Sequence, residues 1–219
     1  MSVAGSQAQT FLRLVASLRD HWRRDPALPR SIQTLLMSER RFGSRDRRLY
    51  RELIYATLRH LPWVEPWLET DPAEAVRRVA WLAADLPSTT RFKAELATGF
   101  PPSGDRRELL PAWFDSHCPG LFLEPELGFQ LRRAPLWLRL QTDANGQVAL
   151  ESEFAARGWT LRSSGVLPDA LELRGEADVT QTTAWQEGHV EVQDLGSQLL
   201  LASAGIEAGG QWLDLCAGA

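Results

Sequence analysis

Only two cysteines occur in the 219 residues, Cys118 and Cys216, and they stand far apart in the chain. Such a pair offers neither a disulfide framework nor a metal cluster, and a reducing cytoplasm is the expected compartment. Long apolar runs are missing as well: no stretch of eighteen apolar residues occurs, which excludes a helical membrane span. The N-terminus has neither the apolar h-region nor the small-residue cleavage site of a secretory signal, so none is expected. Lysine is almost absent. Lys93 is one of 24 basic residues and the rest are Arg, which suits bidentate phosphate contacts but also follows from a GC-rich genome. His21, His60, His117 and His189 share no metal-ligand spacing, so no metal is expected and all four are read as structural or surface residues. Internal repeats and low-complexity tracts are also lacking.

What is present is an ordinary globular composition, 44% hydrophobic and 24% charged, with its charge unevenly divided. Residues 1–60 hold twelve Arg against five acidic residues, a net of +7, and residues 61–219 carry a net of −11. A basic module followed by a different one is the simplest reading of that asymmetry.

Apolar residues at three- and four-residue steps dominate the first half. Ala8, Phe11, Leu12, Val15, Leu18 and Trp22 mark one helix, ended by Asp25-Pro26. Pro29 and Ser31 open a second with Ile32, Leu35 and Leu36. After Gly43, Ser44 is the expected N-cap of a third, with Asp46 in its first turn. That helix turns Leu49, Leu53, Ile54, Thr57 and Leu58 inward and Arg45, Arg47, Arg48 and Arg51 outward. Asp71-Pro72 starts another helix, Phe92 and Leu96 lie in one more, and Leu109, Leu110, Trp113 and Phe114 form a last amphipathic turn or two. An all-helical domain over residues 1–128 is expected. Trp22, Trp63, Trp67, Trp81 and Trp113 recur among Leu and Val and are read as core, although exposed Trp could stack on bases.

The period changes beyond residue 128. Leu136 to Leu140 reads as a strand, Asp143 to Gly146 as a turn, and Val148, Leu150 and Phe154 as a helix stopped by Gly158. Trp159-Thr160-Leu161 and Ala170 to Leu173 suit two more strands, and Asp178 can cap a short helix holding Trp185. A small α+β module over 129–186 follows from this alternation. The last stretch, 187–219, runs from Gly188–Asp194 through a helix over Ser197–Ala204 into Trp212-Leu213-Asp214-Leu215-Cys216-Ala217-Gly218-Ala219. An apolar strand entering Asp-x-Cys-Ala-Gly is similar to the first strand and nucleotide-binding turn of a Rossmann-like domain.

Val192-Gln193-Asp194 with Ser197-Gln198, then Leu213 to Ala219, and before them Ala134-Pro135-Leu136-Trp137-Leu138-Arg139, occur in one order. In that order they resemble the V-Q-D-x-x-S-Q lead-in, the L-D-x-C-A-x-x-G-G-K-T cofactor motif and the P-x-x-L-R strand of the RsmB/Nop/Sun type RNA 5-methylcytosine methyltransferases. Phe42-Gly43-Ser44-Arg45-Asp46-Arg47 ahead of Leu53-Ile54-Tyr55 resembles the NusB-type RNA-binding bundle at the front of bacterial members. The resemblance implies a mainly helical, NusB-like N-terminal bundle, a small α+β module and the first strand of an incomplete Rossmann-like methyltransferase domain. It implies methyl transfer from S-adenosylmethionine to carbon 5 of a cytosine in RNA, with ribosomal RNA as the implied partner. A cysteine thiolate first attacks the adjacent ring carbon of a base taken out of its stack.

Site residues implied by the resemblance are Asp214, Cys216, Ala217, Gly218 and Ala219 for the cofactor. Arg40, Arg41, Arg45, Arg47, Arg48, Arg51 and Arg139 are candidates for RNA contact. Each has a plainer alternative: Cys216 as a small apolar strand residue, Asp214 as turn chemistry, the Arg cluster as a solvated helix face, Arg139 as a snorkelling side chain. Neither cysteine matches a catalytic position, so no catalytic residue is assigned. The chain is expected to be a fragment cut inside the cofactor motif and inactive by itself. Two rivals stay open, a non-catalytic NusB-like RNA-binding protein and a decayed, inactive paralogue.

Overall fold

A computed structural model describes residues 2–23 and 25–205. The chain divides into two compact units, Met1–Arg133 and Ala134–Ala219. It is mostly helical, with one small antiparallel sheet in the second unit. No helix among the described residues is long and apolar enough to cross a membrane.

In the first unit, α1 (Val3–Leu18) is capped by Ser2, whose hydroxyl accepts from Gly5 N at 3.0 Å. It turns Ala4, Ala8, Phe11, Leu14, Val15 and Leu18 inward, the stripe its sequence spacing demands. A 3-10 turn then leads to α2 (Leu28–Ser38), which buries Ile32 and Leu36. In α3 (Ser44–Arg59), Leu49, Leu53 and Ile54 pack into the same core as Val76, Val79 and Phe92. Gly43, not Ser44, holds the N-cap position; Asp46 reaches back to accept from Gly43 N at 3.4 Å. Two single-turn helices follow, α4 (Leu61–Val64) and α5 (Trp67–Thr70), then α6 (Pro72–Leu82) and α7 (Thr90–Leu96). Asp71 caps α6 as its sequence promised, accepting from Glu74 N at 3.1 Å.

The end of this unit departs from expectation. Residues 106–130 break into a 3-10 turn, α8 (Trp113–His117), a second 3-10 turn and α9 (Glu126–Gln130). Trp113, read as core, is 60% exposed and stacks on Phe114 with ring centroids 4.1 Å apart. Pro111 and Pro119 keep each helical piece too short to bury a continuous stripe. Trp22 and Trp67 do pack against the helical core, though only half-buried.

The second unit is a four-stranded antiparallel sheet of β1 (Leu136–Leu140), β2 (Thr160–Ser163), β3 (Ala170–Arg174) and β4 (Val190–Val192), in the order β2-β3-β1-β4. Leu138 pairs with Leu171 on β3 and Val192 on β4, so β1 is central. Leu138, Leu140, Leu171, Leu173 and Val190 meet Leu150 and Phe154 of α10 (Ala144–Ala156) in a second core. β4 lies in the stretch expected to open a further domain, and it is an edge strand of this sheet.

Three local readings are corrected here. Asp143 to Gly146 is not a turn: Asp143 caps α10 and accepts from Gly146 N at 2.9 Å. Gly146 is needed because a Cβ there would lie 1.8 Å from Thr142 Oγ1. Asp178 precedes only a 3-10 turn; Thr182 caps α11 (Thr183–Gln186), which carries Trp185. The last described helix, α12, spans Leu195–Ser203 and is capped by Asp194, which accepts from Gly196 N at 2.9 Å. The Rossmann-like strand expected at 212–215 and the turn after it lie outside the described residues.

Candidate functional site

The Arg-rich junction between α2 and α3 comes together as a surface, and its members fall into two kinds. Helical spacing puts Arg45, Arg48 and Arg51 on one exposed face of α3, while Arg40 and Arg41 stand exposed on the loop before it. Arg40, Arg45 and Arg51 form no ion pair among the described residues. Arg48 bonds its own helix, Nε donating to Ser44 O at 3.3 Å.

Arg47 differs from the others. It is half-buried, and its Nε donates to Leu36 O at 3.2 Å. Leu36 lies in the last turn of α2, where carbonyls lack intrahelical partners. A cation there also meets the negative end of the α2 macrodipole. Arg47 therefore ties α2 to α3, a task the sequence pattern gave no means of separating from that of its neighbours.

The loop that carries Arg40 and Arg41 is held from below. Phe42 is buried, its ring 4.7 Å from that of Tyr50, and its N–H donates to Glu39 O at 3.0 Å. Burial pushes the Tyr50 phenol above its ordinary value. Glu39 accepts from Arg13 of α1 at 2.7 Å and lies 4.0 Å from Arg41. Sequence reading missed Arg13 and Glu39, since nothing in the pattern links residues 26 apart. With its base fixed, the loop loses little conformational entropy on meeting a ligand. The exposed cations suit a polyanion.

A second missed feature lies further along α3. Glu52, only 5% exposed, accepts from Arg59 at 2.6 Å and from Ala84 N at 3.1 Å, and it lies 3.6 Å from Arg133 Nε. A buried carboxylate with these partners joins α3, the end of α6 and the last residue of the first unit. At the end of α3, burial lowers the His60 pKa, and Nδ1 sits 2.9 Å from Ala56 O.

Arg139 belongs to the second unit, on the face of β1 away from its core, in register with Ala170 and Glu191. Glu191 already accepts from Gln141 Nε2 at 2.8 Å. Asp214, Cys216, Ala217, Gly218 and Ala219 lie outside the described residues. Cys118 is exposed at the end of α8.

Several curated proteins share sequence with this chain. It is 29% identical over 116 residues to ribosomal RNA small subunit methyltransferase B of Xanthomonas campestris pv. campestris, covering 53% of this chain and 25% of that protein. The protein of the same name from Xylella fastidiosa (strain Temecula1) is 33% identical over 87 residues, covering 40% of this chain and 20% of the relative. That from Vibrio cholerae is 33% identical over 85 residues, covering 39% and 20%. The matched stretch thus spans a quarter or less of these relatives' length. Among solved structures, the crystal structure of PH0851 matches with a TM-score of 0.53 and 13% identity, over 93% of this chain and 56% of that one. No protein-family model matches. The resemblance carried by the chain's own motifs agrees with these comparisons: the chain is similar in sequence to proteins named ribosomal RNA small subunit methyltransferase B.

Proposed function

We propose that this chain is the RNA-binding front and small α+β module of an S-adenosylmethionine-dependent ribosomal RNA cytosine-5 methyltransferase. The first unit acts as a NusB-like RNA-binding bundle, and the second leads the chain toward the cofactor site. One observation carries the proposal: among the described residues Arg40, Arg45 and Arg51 stand exposed without ion pairs on a loop and helix fixed by Phe42 and Arg47, in a chain similar in sequence to rRNA methyltransferases. Guanidinium groups held this way can take phosphodiester oxygens bidentately. Cofactor contact is assigned to Asp214, Cys216, Ala217, Gly218 and Ala219, with no step derived through it. Neither cysteine is assigned as nucleophile. Cys118 lies in the helical unit and Cys216 within the cofactor motif.

The test is RNA binding by the 219-residue chain across a salt series. Each lost phosphate contact flattens the slope of log K against log salt by about 0.7 for a single strand. Arg40→Ala, Arg45→Ala and Arg51→Ala together should therefore flatten it by about 2. An unchanged slope in that triple variant refutes the assignment. The same preparation should transfer no labelled methyl group to RNA, and turnover would show that the cysteine assignments are wrong.

A further inference from the structure

A cleft of about 440 Å³ opens between α1 and α2. Its apolar floor is Leu18 and Leu35, and no carboxylate lines it. Hydroxyls from Ser17, Ser31, Thr34 and Ser38 form the walls, with Arg30 and His21 at the end where α2 begins. Ser17 and Ser38 commit their protons to Leu14 O at 2.8 Å and Leu35 O at 2.9 Å, leaving oxygen lone pairs for a donor. The Ser31 and Thr34 hydroxyls make no hydrogen bond among the described residues, and Arg30 makes no ion pair there. His21 is held beside Asp25, Nδ1 to Oδ2 3.1 Å, which leaves Arg30 as the cleft's unengaged cation.

We propose that this cleft is a subsite for the sugar-phosphate backbone of a single RNA strand. Arg30 holds a phosphodiester oxygen, while Ser31 and Thr34 bond ribose hydroxyls or a second phosphate. The inference rests on the RNA-binding reading and extends it to a surface outside the Arg cluster. Charge decides the occupant: an anion meets one free guanidinium and no opposing carboxylate, whereas an acidic wall would reject it. Hydroxyls open to donate at Ser31 and Thr34, beside hydroxyl acceptors at Ser17 and Ser38 over an apolar floor, match ribose, which offers both polar edges and a carbon face. The cleft also lies close along the chain to the proposed RNA surface. It runs along α2 from Arg30 to Ser38, about 12 Å at the helical rise, and Arg40 follows two residues later.

The experiment uses the full chain and a short fluorescein-labelled single-stranded RNA, with affinity measured from 0.05 to 0.5 M salt, a range chosen to resolve slopes of about one. Arg30→Ala should weaken binding about fivefold at 0.1 M salt and flatten the slope by about 0.7, the signature of one lost phosphate contact. Thr34→Val keeps the shape, removes the hydroxyl, and should weaken binding with the slope unchanged. Wild-type affinity in both variants, beside weakened binding in Arg45→Ala, overturns the subsite and leaves the α3 surface standing. Loss in Arg30→Ala alone reduces the cleft to a lone surface charge and overturns it equally. If Arg30→Ala, Thr34→Val and Arg45→Ala all bind as wild type, the RNA reading falls along with the subsite.

Discussion

Arg45 and Arg47 lie two residues apart in one Arg-rich run, yet the structure gives them different work, and substitution should separate them. Arg47→Ala removes the bond to Leu36 O and the half-buried stem that lies over the α2–α3 junction. A hydrogen bond from a charged donor contributes about 1.5–3 kcal/mol, and partial exposure places this one near the lower end. For a unit of this size roughly 4 °C accompanies each kcal/mol, so melting should drop by about 6 °C. Arg45→Ala touches no such bond, and its melting temperature should stay within about 2 °C of wild type, as expected for an exposed substitution. RNA binding should show the reverse. Arg45→Ala flattens the salt slope by about 0.7, whereas Arg47→Ala leaves it near wild type at temperatures where both are folded. Circular-dichroism melts and fluorescence anisotropy on the same samples provide both measurements. The reasoning is refuted if Arg47→Ala melts as wild type while flattening the slope, because Arg47 would then contact phosphate and not α2.

Two further outcomes follow from the buried charges. Glu52→Ala strands the Arg59 guanidinium and Ala84 N without their acceptor, and loss of one partner of a buried pair costs about 3–5 kcal/mol. Glu52→Gln keeps an acceptor oxygen and should melt between Glu52→Ala and wild type; equal melting of all three would show that the cluster contributes nothing. Acid should also weaken the first unit. Hydrogen bonds from Arg77 and Arg78 hold the Glu74 pKa at about 2, below its ordinary 4.5. Its contribution is full above pH 4.5 and lost as pH falls toward 2, about 2 kcal/mol once solvent screening is allowed for. His60 acts in the same direction from a higher pH. Its depressed pKa means the unfolded chain takes up the proton first, so stability declines as pH falls through 6.5. Urea midpoints measured from pH 7 to 3 test both, and Glu74→Gln should remove the acidic part of the decline. A decline identical in that variant would refute the Glu74 assignment.

Elements with strong periodicity were legible in the sequence. The stripe from Ala8 to Leu18 and the alternation in Leu136–Leu140 each have a single way to bury their apolar residues. Asp71 before Pro72 likewise leaves little freedom about where α6 begins. Ambiguity entered where one residue type serves two purposes. Asp143 suits a turn and a helix cap equally, and the difference lies in Gly146, whose missing Cβ admits Thr142. Trp113 matched the helical spacing, but the prolines around it left that helix one turn long and the ring exposed. The Arg run was visible as charge and no more. Separating Arg47 from Arg45 required knowing that Leu36 lies across the junction, a tertiary fact with no local signal. Glu39 and Arg13 were invisible for the same reason.

The junction after the sheet shows how much of a short motif can be structural. Val192 ends β4 opposite Leu138, and Gln193 N donates to Trp137 O at 3.2 Å, extending the ladder one residue past the strand. Asp194 then turns the chain, its carboxylate accepting from Gly196 N and its carbonyl from Gln198 N at 3.1 Å. Gln198 is buried, and its amide donates to Gln193 O at 2.9 Å and Leu138 O at 3.4 Å. Those two carbonyls belong to the end of β4 and the centre of β1, so one side chain locks the start of α12 to the sheet. A shorter amide could not span the distance, and an apolar residue would leave both carbonyls with a lost partner in a dry site. Val192, Asp194 and Gln198 of the pattern thus act as strand end, cap and anchor. The direction in which α12 leaves the sheet is thereby set by side chains within the second unit.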